Sequence, residues 1–578
     1  MIHMKYPLNE AKEQILTALQ SILAQFSYPK DIHLDIPKPA HGDYAFPCFP
    51  LAGFLKKSPQ EIAQNIASRL SDLSWIQKTE IQGGYLNFYV DEQQLVRKTL
   101  DLILTHKEEY GHLNKKNQKI IIEHTSANPN GPLHVGRARN PLIGDTLVRL
   151  YRAAGYDVES QFYVDDLGKQ VAILTWGLRH VKQDDTKEVS STKPDHKLVQ
   201  YYQQAHQRMQ DDPEVTQAIN EIIQKSEKGD EKIIQQVHDA YMPVLDGMKQ
   251  SLKRMNIFLD RFVPESQFVK DKSVDNVVEQ LQQTTYADKE DNAWFLDLAS
   301  FGIQGRSTRF FFTRQDGTTL YATRDIAYHL WKAKQANSLV NVLGEDHKLE
   351  AQQVAIALKL LKASTTPHVI FYAFVSLPGG KMSTRRGRVV YLDDLIEESV
   401  QRAYKEVQKR RGSELSTQQM KEIAEVIGTS AIRYNIIKVQ PEKDMVFTWE
   451  DALSFEGNAA PFLHYAHART CGILAKATKP YKKGNTEELS HPSELMCIKH
   501  LARFPQVIDE ATHSGKPHMI AGYIYELASL FNQFYRDCPV LTNTNQELMN
   551  ARLQLVDATR IVLHNAMELL GLPALEEM

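Results

Sequence analysis

The sequence predicts an α/β protein in which a doubly wound parallel sheet lies between an N-terminal α+β module and an all-helical C-terminal region. An apolar run at residues 120–122 precedes a cluster of breakers and a helical pattern that begins near His134, as in a strand, turn and helix of a parallel sheet. From Leu395 onward, apolar residues recur almost entirely at helical spacing. Three further apolar segments predict that the sheet is completed later in the chain: residues 308–312, 338–343 and 368–375.

Composition limits the class of protein. The chain has 578 residues, enough for about four domains, and its 42% hydrophobic and 24% charged residues are typical of a globular protein with large cores. No apolar run reaches about 18 residues, so we expect no membrane span, and the amphipathic residues 1–26 are not a secretory signal. The net charge of −3 means that a nucleic acid would have to meet local basic surfaces.

The cysteines indicate the redox environment. Their spacing fits neither a metal site nor a disulfide framework, which indicates buried thiols in a reducing cytoplasm. The cysteines are Cys48, Cys471, Cys497 and Cys538.

Changes of pattern along the chain predict its domains. The predicted domains are residues 1–114, 115–395, 396–452 and 453–578. The first carries helical patterns at 9–26 and 59–73 and a strand at 85–90, and the polar stretch 115–119 links it to the sheet domain. The polar, Gln-rich stretch at about 179–255 is interpreted as connective helices inserted in the sheet domain. The last domain contains two strongly periodic helical segments, residues 456–475 and 550–570.

Two segments carry residues suited to binding a chain of phosphates. The first, Ser126-Ala-Asn-Pro-Asn-Gly-Pro-Leu-His-Val-Gly-Arg137, opens a helix, whose free N–H groups and dipole attract anions. In it His134 can donate to phosphate, and Gly136 lets a base or ribose approach the backbone. The second, Gly379-Gly-Lys-Met-Ser-Thr-Arg-Arg-Gly387, is a basic loop bounded by glycines. The alternatives are an ordinary βα turn with a chance histidine and a solvated basic loop, but together the segments predict a site that closes on one triphosphate.

The same segments resemble known motifs. His134-Val-Gly-Arg137 resembles the HIGH motif, and Lys381-Met-Ser-Thr384 resembles the KMSKS motif, of class I aminoacyl-tRNA synthetases. Further segments resemble arginyl-tRNA synthetases in particular: Ser126 to His134, Phe162-Tyr-Val-Asp-Asp-Leu-Gly168, Leu320-Tyr-Ala-Thr-Arg-Asp325, Leu453-Ser-Phe-Glu-Gly457 and Tyr465-Ala-His-Ala-Arg469. The resemblance implies a class I Rossmann-type catalytic domain with an N-terminal α+β module and an all-α C-terminal anticodon-binding domain. It also implies ATP-dependent ligation of L-arginine to tRNA(Arg), with AMP and pyrophosphate as products.

Two positions depart from the class I motifs. The last histidine of HIGH is replaced by Arg137, whose guanidinium can still donate to phosphate but reaches a different oxygen. The second lysine of KMSKS is replaced by a threonine that two arginines follow. We therefore expect Lys381 to supply the cation of the loop with Ser383 beside it, and Arg385 or Arg386 to stand in for the missing lysine.

The resemblance also implies residues for the two small substrates. Ser126 and Asn128 hold the amino or carboxylate end of arginine, while Glu265 and Asp325, with Tyr321 beside them, accept its guanidinium. Carboxylates suit this planar cation because they can bind its donors in pairs; a surface salt bridge is the alternative for each acid. The expected contacts of ATP are His134, Gly136, Gly344, Asp346, His347, Lys381 and Met382. We expect Mg²⁺ to arrive with ATP and predict no dedicated metal site.

A third substrate, tRNA, is implied at both ends of the chain. Gly83-Gly-Tyr-Leu-Asn-Phe88 resembles the family segment that meets a D-loop base, and Tyr85 and Asn87 fall on one face of a strand. The alternative is that both satisfy the core and turn of their own module. Candidate anticodon contacts, which are equally plausible core residues, are Tyr465, His467, Arg469, Tyr525, Phe534 and Tyr535. The family further implies that activation of arginine needs bound tRNA.

Two other functions compete with this one. A small-molecule adenylate-forming ligase would not need the N-terminal module or the helical domain. A non-catalytic RNA-binding paralogue would not need the intact set His134, Gly136, Lys381, Glu265 and Asp325. We expect a cytoplasmic monomer without a membrane partner.

Overall fold

The computed structural model describes residues 4–26, 31–186, 191–303, 308–377, 380–381, 390–477 and 481–578. The strands in these residues are β1 (Tyr44–Pro47), β2 (Ile76–Gln82), β3 (Tyr85–Val90), β4 (Lys119–Glu123), β5 (Asp157–Val164), β6 (Arg261–Pro264), β7 (Ala287–Glu290), β8 (Ala293–Asp297), β9 (Arg309–Phe311), β10 (Ser338–Gly344), β11 (His368–Tyr372), β12 (Val375–Leu377), β13 (Gly380–Lys381) and β14 (Met445–Val446).

Helices account for most of the remaining described residues. They are α1 (Pro7–Ala24), α2 (Phe49–Leu55), α3 (Pro59–Ala67), α4 (Glu92–His106), α5 (Arg139–Ala153), α6 (Lys169–His180), α7 (Pro194–Asp211), α8 (Pro213–Glu227), α9 (Glu231–Arg254), α10 (Ser266–Lys270), α11 (Ser273–Gln282), α12 (Tyr321–Ala333), α13 (Lys348–Leu360), α14 (Leu392–Arg411), α15 (Thr417–Ile437), α16 (Trp449–Ala452), α17 (Ala460–Lys476), α18 (Pro492–Ser514), α19 (His518–Asp537) and α20 (Gln546–Leu569). None of the helices in the described ranges is both long and apolar enough to cross a membrane.

Five parallel strands form the central sheet, in the order β11-β10-β4-β5-β6. Ile120 and Ile122 of β4 pack with α5 on one face of the sheet, and Ile121 packs with α12 on the other. The apolar run is therefore continuous because both faces of the strand are buried. Later strands are added on both sides of β4, which opens a crevice at the carboxyl ends of the central strands.

The prediction that residues 308–312 complete this sheet is wrong. β9 pairs antiparallel with β8, in a separate sheet of order β7-β8-β9. A parallel neighbour needs a long crossover connection, whereas the short link between β8 and β9 allows an antiparallel pair. The place at the sheet edge belongs instead to β6, which the sequence did not predict. The other two predicted strands join the sheet as β10 and β11.

The N-terminal module has a core of its own. Its antiparallel sheet, ordered β1-β3-β2, packs with α1, which matches the predicted helix at 9–26. Helix α3 begins with a capping box between Ser58 and Glu61 and ends at Ala67, six residues before the predicted end at 73. The last helix, α4, lies against α18 and α20 of the C-terminal region, so the module is joined directly to the helical domain.

A single apolar core joins the sheet domain, the insertion and the helical region. It contains residues of α5, α9, α15 and the helices from α17 to α20. Arg433 of α15, which is fully buried, contacts the Asp145 carboxylate of α5 and donates to the carbonyl oxygens of Met255 and Leu570. The predicted helical character of the insertion is confirmed by α7, α8 and α9. Three of the unpaired thiols are buried as predicted, whereas Cys471 is partly exposed.

Candidate active site

The candidate site begins in the loop after β4. Thr125 and Ser126 have φ angles of 73° and 38°, in the left-handed region that non-glycine residues seldom adopt. The backbone N–H of Tyr163, on β5, donates to Ser126 Oγ at 3.1 Å, and this hydroxyl donates to Glu123 Oε1 at 3.3 Å. These bonds hold the strained loop at the carboxyl end of the central strand. Ser126 and Asn128 are both half-buried there.

The turn that carries His134 follows this loop. His134 caps the 3₁₀ turn Val135–Arg137, and its Nδ1 accepts the Gly136 N–H at 3.0 Å. Because Nδ1 accepts, the neutral ring carries its proton on Nε2, where it can be donated. Burial and the charge of Arg137 lower the pKa of His134 and so favour the neutral ring. A Cβ on Gly136 would stand 3.1 Å from Nδ1 and crowd this cap. Helix α5 itself begins at Arg139, later than predicted.

The start of the second predicted motif lies beside this turn. β12 contacts the 3₁₀ turn and pairs antiparallel with β13, which sets Ser376 opposite Lys381. The Val135 N–H donates to the Val390 carbonyl oxygen at 3.1 Å, where the described chain resumes. The short strand that carries Lys381 is therefore linked through β12 to the turn that carries His134. The predicted residues Met382, Ser383, Thr384, Arg385 and Arg386 lie outside the described residues.

A third turn faces the same crevice. Gly344 ends β10, the neighbour of β4, and leads into the 3₁₀ turn Glu345–His347. A hydrogen bond to Glu350 and the charge of Asp346 raise the pKa of His347, while Arg137 acts in the opposite sense. Arg137 is therefore close enough for its charge to reach His347. The side chains of Asp346 and His347 are about half exposed, open to a ligand above the sheet.

Buried acids lie at the ends of the next two strands. Glu265, directly after β6, is 2% exposed, and its Oε2 has no hydrogen-bond partner. Its Oε1 lies 3.3 Å from the Tyr163 hydroxyl, which donates to it, and 2.7 Å from Arg324 Nε. Burial raises the pKa of Glu265 to about 8, and Asp165 acts in the same direction while Arg324 opposes it. The expectation that Glu265 waits unpaired for a substrate guanidinium thus needs a correction, because Arg324 already contacts one of its oxygens.

Asp325, Tyr321 and Asp165 complete an acidic pocket. Asp325 and Asp165 both raise the pKa of Tyr163, so their charges surround the same hydroxyl as Glu265. A Cβ on Gly168 would lie 2.7 Å from Asp165 Oδ1 and 3.0 Å from the Tyr321 hydroxyl, so these two groups meet above its backbone. Sequence reasoning missed Asp165. The available signal was its position directly after β5, since the carboxyl ends of neighbouring parallel strands meet at one edge.

The predicted contacts of the N-terminal module line one groove. Tyr85 and Asn87 share it with Ile36, Lys38 and His41. The Tyr85 ring is 38% exposed and packs edge-on against Phe49, with 5.1 Å between centroids, whereas Asn87 is 3% exposed at the bottom of the groove. An exposed ring above a recessed amide suits a single unstacked base.

In the helical domain the predicted contacts separate into two groups. Arg469 donates to the Tyr465 hydroxyl at 2.6 Å, and its guanidinium lies 4.5 Å from the Tyr465 ring centroid and 5.6 Å from that of Tyr535. These three form an exposed cluster. Tyr525 is half-buried against Phe462, whereas His467 and Phe534 are both buried. His467 and Phe534 have no surface for stacking on a base, so they belong to the core and not to the candidate contacts.

A groove beside Tyr465 was missed by sequence reasoning. It lies between α14 and residues 449–456 and contains two cation–π pairs. Arg402 lies 4.9 Å from the Trp449 ring centroid, and Arg410 lies 4.1 Å from that of Phe455. Stacked rings and guanidinium groups can bind RNA bases, but both arginines are paired with glutamates, Glu398 and Glu406, so we assign this groove no RNA contact.

Comparisons with known proteins agree along the whole chain. Residues 99–449 match the family described as "tRNA synthetases class I (R), catalytic domain", residues 463–578 match "DALR anticodon binding domain", and residues 9–90 match "Arginyl tRNA synthetase N terminal domain". The arginine–tRNA ligase of Methanocella arvoryzae is 47% identical over 530 residues, 92% of each chain. The chain belongs to the arginyl-tRNA synthetases.

Other members of the family give the same result. The arginine–tRNA ligase of Methanothermobacter thermautotrophicus is 42% identical over 99% of this chain and 100% of its own. The solved Thermus thermophilus arginyl-tRNA synthetase superposes with a TM-score of 0.85 at 28% identity, covering 98% of this chain and 100% of that one. The class I catalytic fold, the N-terminal domain and the helical C-terminal domain predicted from the sequence are confirmed.

Proposed function

We propose that the protein ligates L-arginine to tRNA(Arg) in two steps at one edge of its parallel sheet. Arginine first reacts with ATP to give arginyl-adenylate and pyrophosphate, and the arginyl group then passes to the tRNA with release of AMP. The observation that carries this proposal is the acidic pocket around Glu265 and Asp325, at the same sheet edge as the His134 turn. A guanidinium held by these carboxylates is recognised by both its charge and its planar shape.

In the arginine site, the free oxygen of Glu265 and the carboxylate of Asp325 accept the guanidinium. The Tyr321 hydroxyl lies beside them. Ser126 and Asn128, in the strained loop after β4, hold the α-amino and α-carboxylate groups. The hydrogen bonds from Tyr163 and to Glu123 fix this strained loop before the substrate arrives, which reduces the entropy lost when the reacting oxygen is positioned.

The triphosphate lies over the His134 turn. His134 Nε2 and the Arg137 guanidinium donate to phosphate oxygens, and Gly136 leaves room for the ribose. Lys381 is assigned the cation that meets the phosphates from the other side, together with Ser383 and Arg385 of the same motif. Gly344, Asp346 and His347 line the base and ribose, and Met382 is a further candidate contact of ATP. Such donors stabilise the transition state because they are oriented before charge develops.

Mg²⁺ enters this scheme with ATP. Among the described residues, the group with metal-ligand spacing is Asp195, His196 and Asp393. The Lys193 ammonium already lies among these residues, 2.7 Å from Asp393 Oδ2 and 3.3 Å from Asp195 Oδ2. This group is therefore an ion-pair network whose cation is a lysine. We assign it no metal.

The tRNA contacts both ends of the protein. Tyr85 and Asn87 bind a base of the outer corner, and Tyr465, Arg469 and Tyr535 meet unpaired anticodon bases. Tyr525 is a peripheral member of that surface. The protein works as a monomer in the cytoplasm.

A charging assay tests the proposal. Purified protein is incubated with ATP, total tRNA and radiolabelled arginine, with radiolabelled lysine as the control. The wild type should charge arginine only, Asp325→Asn should lose most charging at low arginine, and Asp288→Asn, at an exposed acid of β7, should match the wild type. A folded wild-type protein that charges no arginine would support the non-catalytic alternative. Activation of arginine without any RNA product would support the small-molecule ligase.

A further inference from the structure

A series of buried, hydrogen-bonded side chains starts at Asp325, one of the residues of the acidic pocket. His329 lies one turn later on α12, and its Nδ1 is 2.8 Å from the Asp325 carbonyl oxygen and 3.1 Å from Asp325 Oδ1. Its Nε2 is 2.8 Å from Asn341 Nδ2 and 3.3 Å from Lys332 Nζ. His329, Lys332 and Asn341 are 2%, 0% and 3% exposed, so solvent does not compete for these bonds.

The far end of this series is an ion pair. Lys332 Nζ donates to Glu123 Oε2 at 2.6 Å and to Asn341 Oδ1 at 3.3 Å. The other oxygen of Glu123 accepts from the Ser126 hydroxyl at 3.3 Å. The network therefore connects the loop that holds one end of the substrate with the carboxylate proposed for the other end.

This connection fixes the proton of His329. Lys332 can only donate, so the oxygen of the Asn341 amide must face it and the amide N–H groups must face His329. Two donors, Lys332 Nζ and Asn341 Nδ2, then face Nε2 of His329, so Nε2 must accept a hydrogen bond. Two oxygens of Asp325 face Nδ1, so Nδ1 must donate. A second proton on Nε2 would meet the lysine ammonium and the amide N–H. The ring is therefore neutral and carries its proton on Nδ1.

A neutral donor has a specific consequence for Asp325. The Asp325 carboxylate accepts the Nδ1–H of His329 at 3.1 Å, and the charge of Lys332 favours its anionic form. A charged imidazolium in contact with Asp325 would cancel the charge that a guanidinium needs. A neutral N–H orients the same carboxylate and leaves its charge available.

We propose that Lys332, Asn341 and His329 form a relay that keeps Asp325 anionic, oriented and unneutralised for the guanidinium of arginine. His329 and Asn341 are then positioning residues that set affinity for arginine without touching it. This proposal rests on the role proposed above for Asp325. The ordinary alternative is that the network only satisfies polar groups of the core, in which case its variants change stability and leave arginine affinity alone.

Three substitutions test the relay. In His329→Gln the amide takes the place of Nε2 and the donor to Asp325 is lost. In the matched variant His329→Asn the amide takes the place of Nδ1 and a donor remains. In Asn341→Asp an acceptor faces Nε2, which draws a proton onto it and charges the ring. His329→Gln and Asn341→Asp should each raise the KM for arginine about tenfold, the effect of one lost hydrogen bond to a charged group. The turnover number and the KM for ATP should stay unchanged, and His329→Asn should remain within about threefold of wild type.

A double-mutant cycle decides between the relay and a structural role. On an Asp325→Asn background, His329→Gln should raise the KM for arginine no further, because the relay acts only through that carboxylate. Equal effects of the two His329 variants, or full additivity with Asp325→Asn, would overturn the relay. If Asp325→Asn itself leaves the KM unchanged, the role proposed for Asp325 fails first. Should His329→Gln not fold, Asn341→Asp alone decides, and a wild-type KM in that variant rejects the relay.

Discussion

Arginine binding should displace a proton from the acidic pocket. Burial raises the pKa of Glu265 to about 8, and burial also raises the pKa of its neighbour Asp165. Two carboxylates this close do not ionise independently, so the pair keeps a proton near neutral pH in the free protein. A guanidinium favours both anions and expels that proton. Because the free protein then binds more protons than the complex, raising the pH favours the complex.

The size of the effect follows from the pKa. At pH about 7, one unit below a pKa of about 8, roughly nine molecules in ten hold the proton. The KM for arginine should therefore fall roughly tenfold between pH about 7 and pH about 9. Calorimetry in buffers of different ionisation enthalpy should count close to one proton released at the lower pH and almost none at the higher.

Glu265→Gln provides the control. It cannot release this proton, so its KM for arginine should be higher and should vary with pH only as far as the substrate's own groups titrate. Subtracting the pH dependence of its KM for arginine from that of the wild type leaves the contribution of the Glu265 proton. Identical pH profiles and identical proton counts for the two proteins would refute the reasoning and place the proton outside the arginine site.

Three further predictions concern the loop, the order of the reaction and the RNA. Lys381→Ala should lower the turnover number by roughly 10²–10³, as for the loss of one preorganised donor, with little change in the KM for arginine; unchanged turnover would contradict its role. Exchange of pyrophosphate into ATP should need tRNA, because docking of the tRNA end completes the site by a population shift; equal rates with and without tRNA would count against this. Tyr85→Ala and Asn87→Ala should raise the KM for tRNA alone, measured at limiting tRNA, whereas the exposed Glu92→Gln on α4 should not. Charging at wild-type efficiency by both variants would show that this groove does not touch the RNA.

The sequence was sufficient to predict those elements whose residues are all neighbours along the chain. The apolar run of β4 and the breakers after it were predicted because each has its own sequence signature, whereas α5 begins at Arg139, after the predicted start near His134. Tyr85 and Asn87 were placed on one face of β3 by the period of a strand alone. The candidate residues for the small substrates were named from the family resemblance, and their spatial neighbours were not.

What the sequence could not predict depends on tertiary contacts. The period of β9 fits either kind of sheet, and only its short connection to β8 makes it antiparallel. Arg324 lies in the motif Leu320 to Asp325, yet its pairing with Glu265 depends on how α12 packs against β6. Phe534 shows the same limit, because helical spacing cannot distinguish an aromatic that faces RNA from one that faces the core.

The common core has a consequence for how the protein can be divided. Arg433 supplies the buried cation beside Asp145, and α18 and α20 pack against α5 within the common apolar core. A fragment cut before residue 453 would uncover apolar side chains of this core, so the catalytic region should precipitate or unfold when expressed alone. Heating the intact chain should melt the catalytic and helical regions in one transition; two separate transitions would contradict this. The three family matches divide the sequence into separate segments, but the catalytic and helical segments share one apolar core.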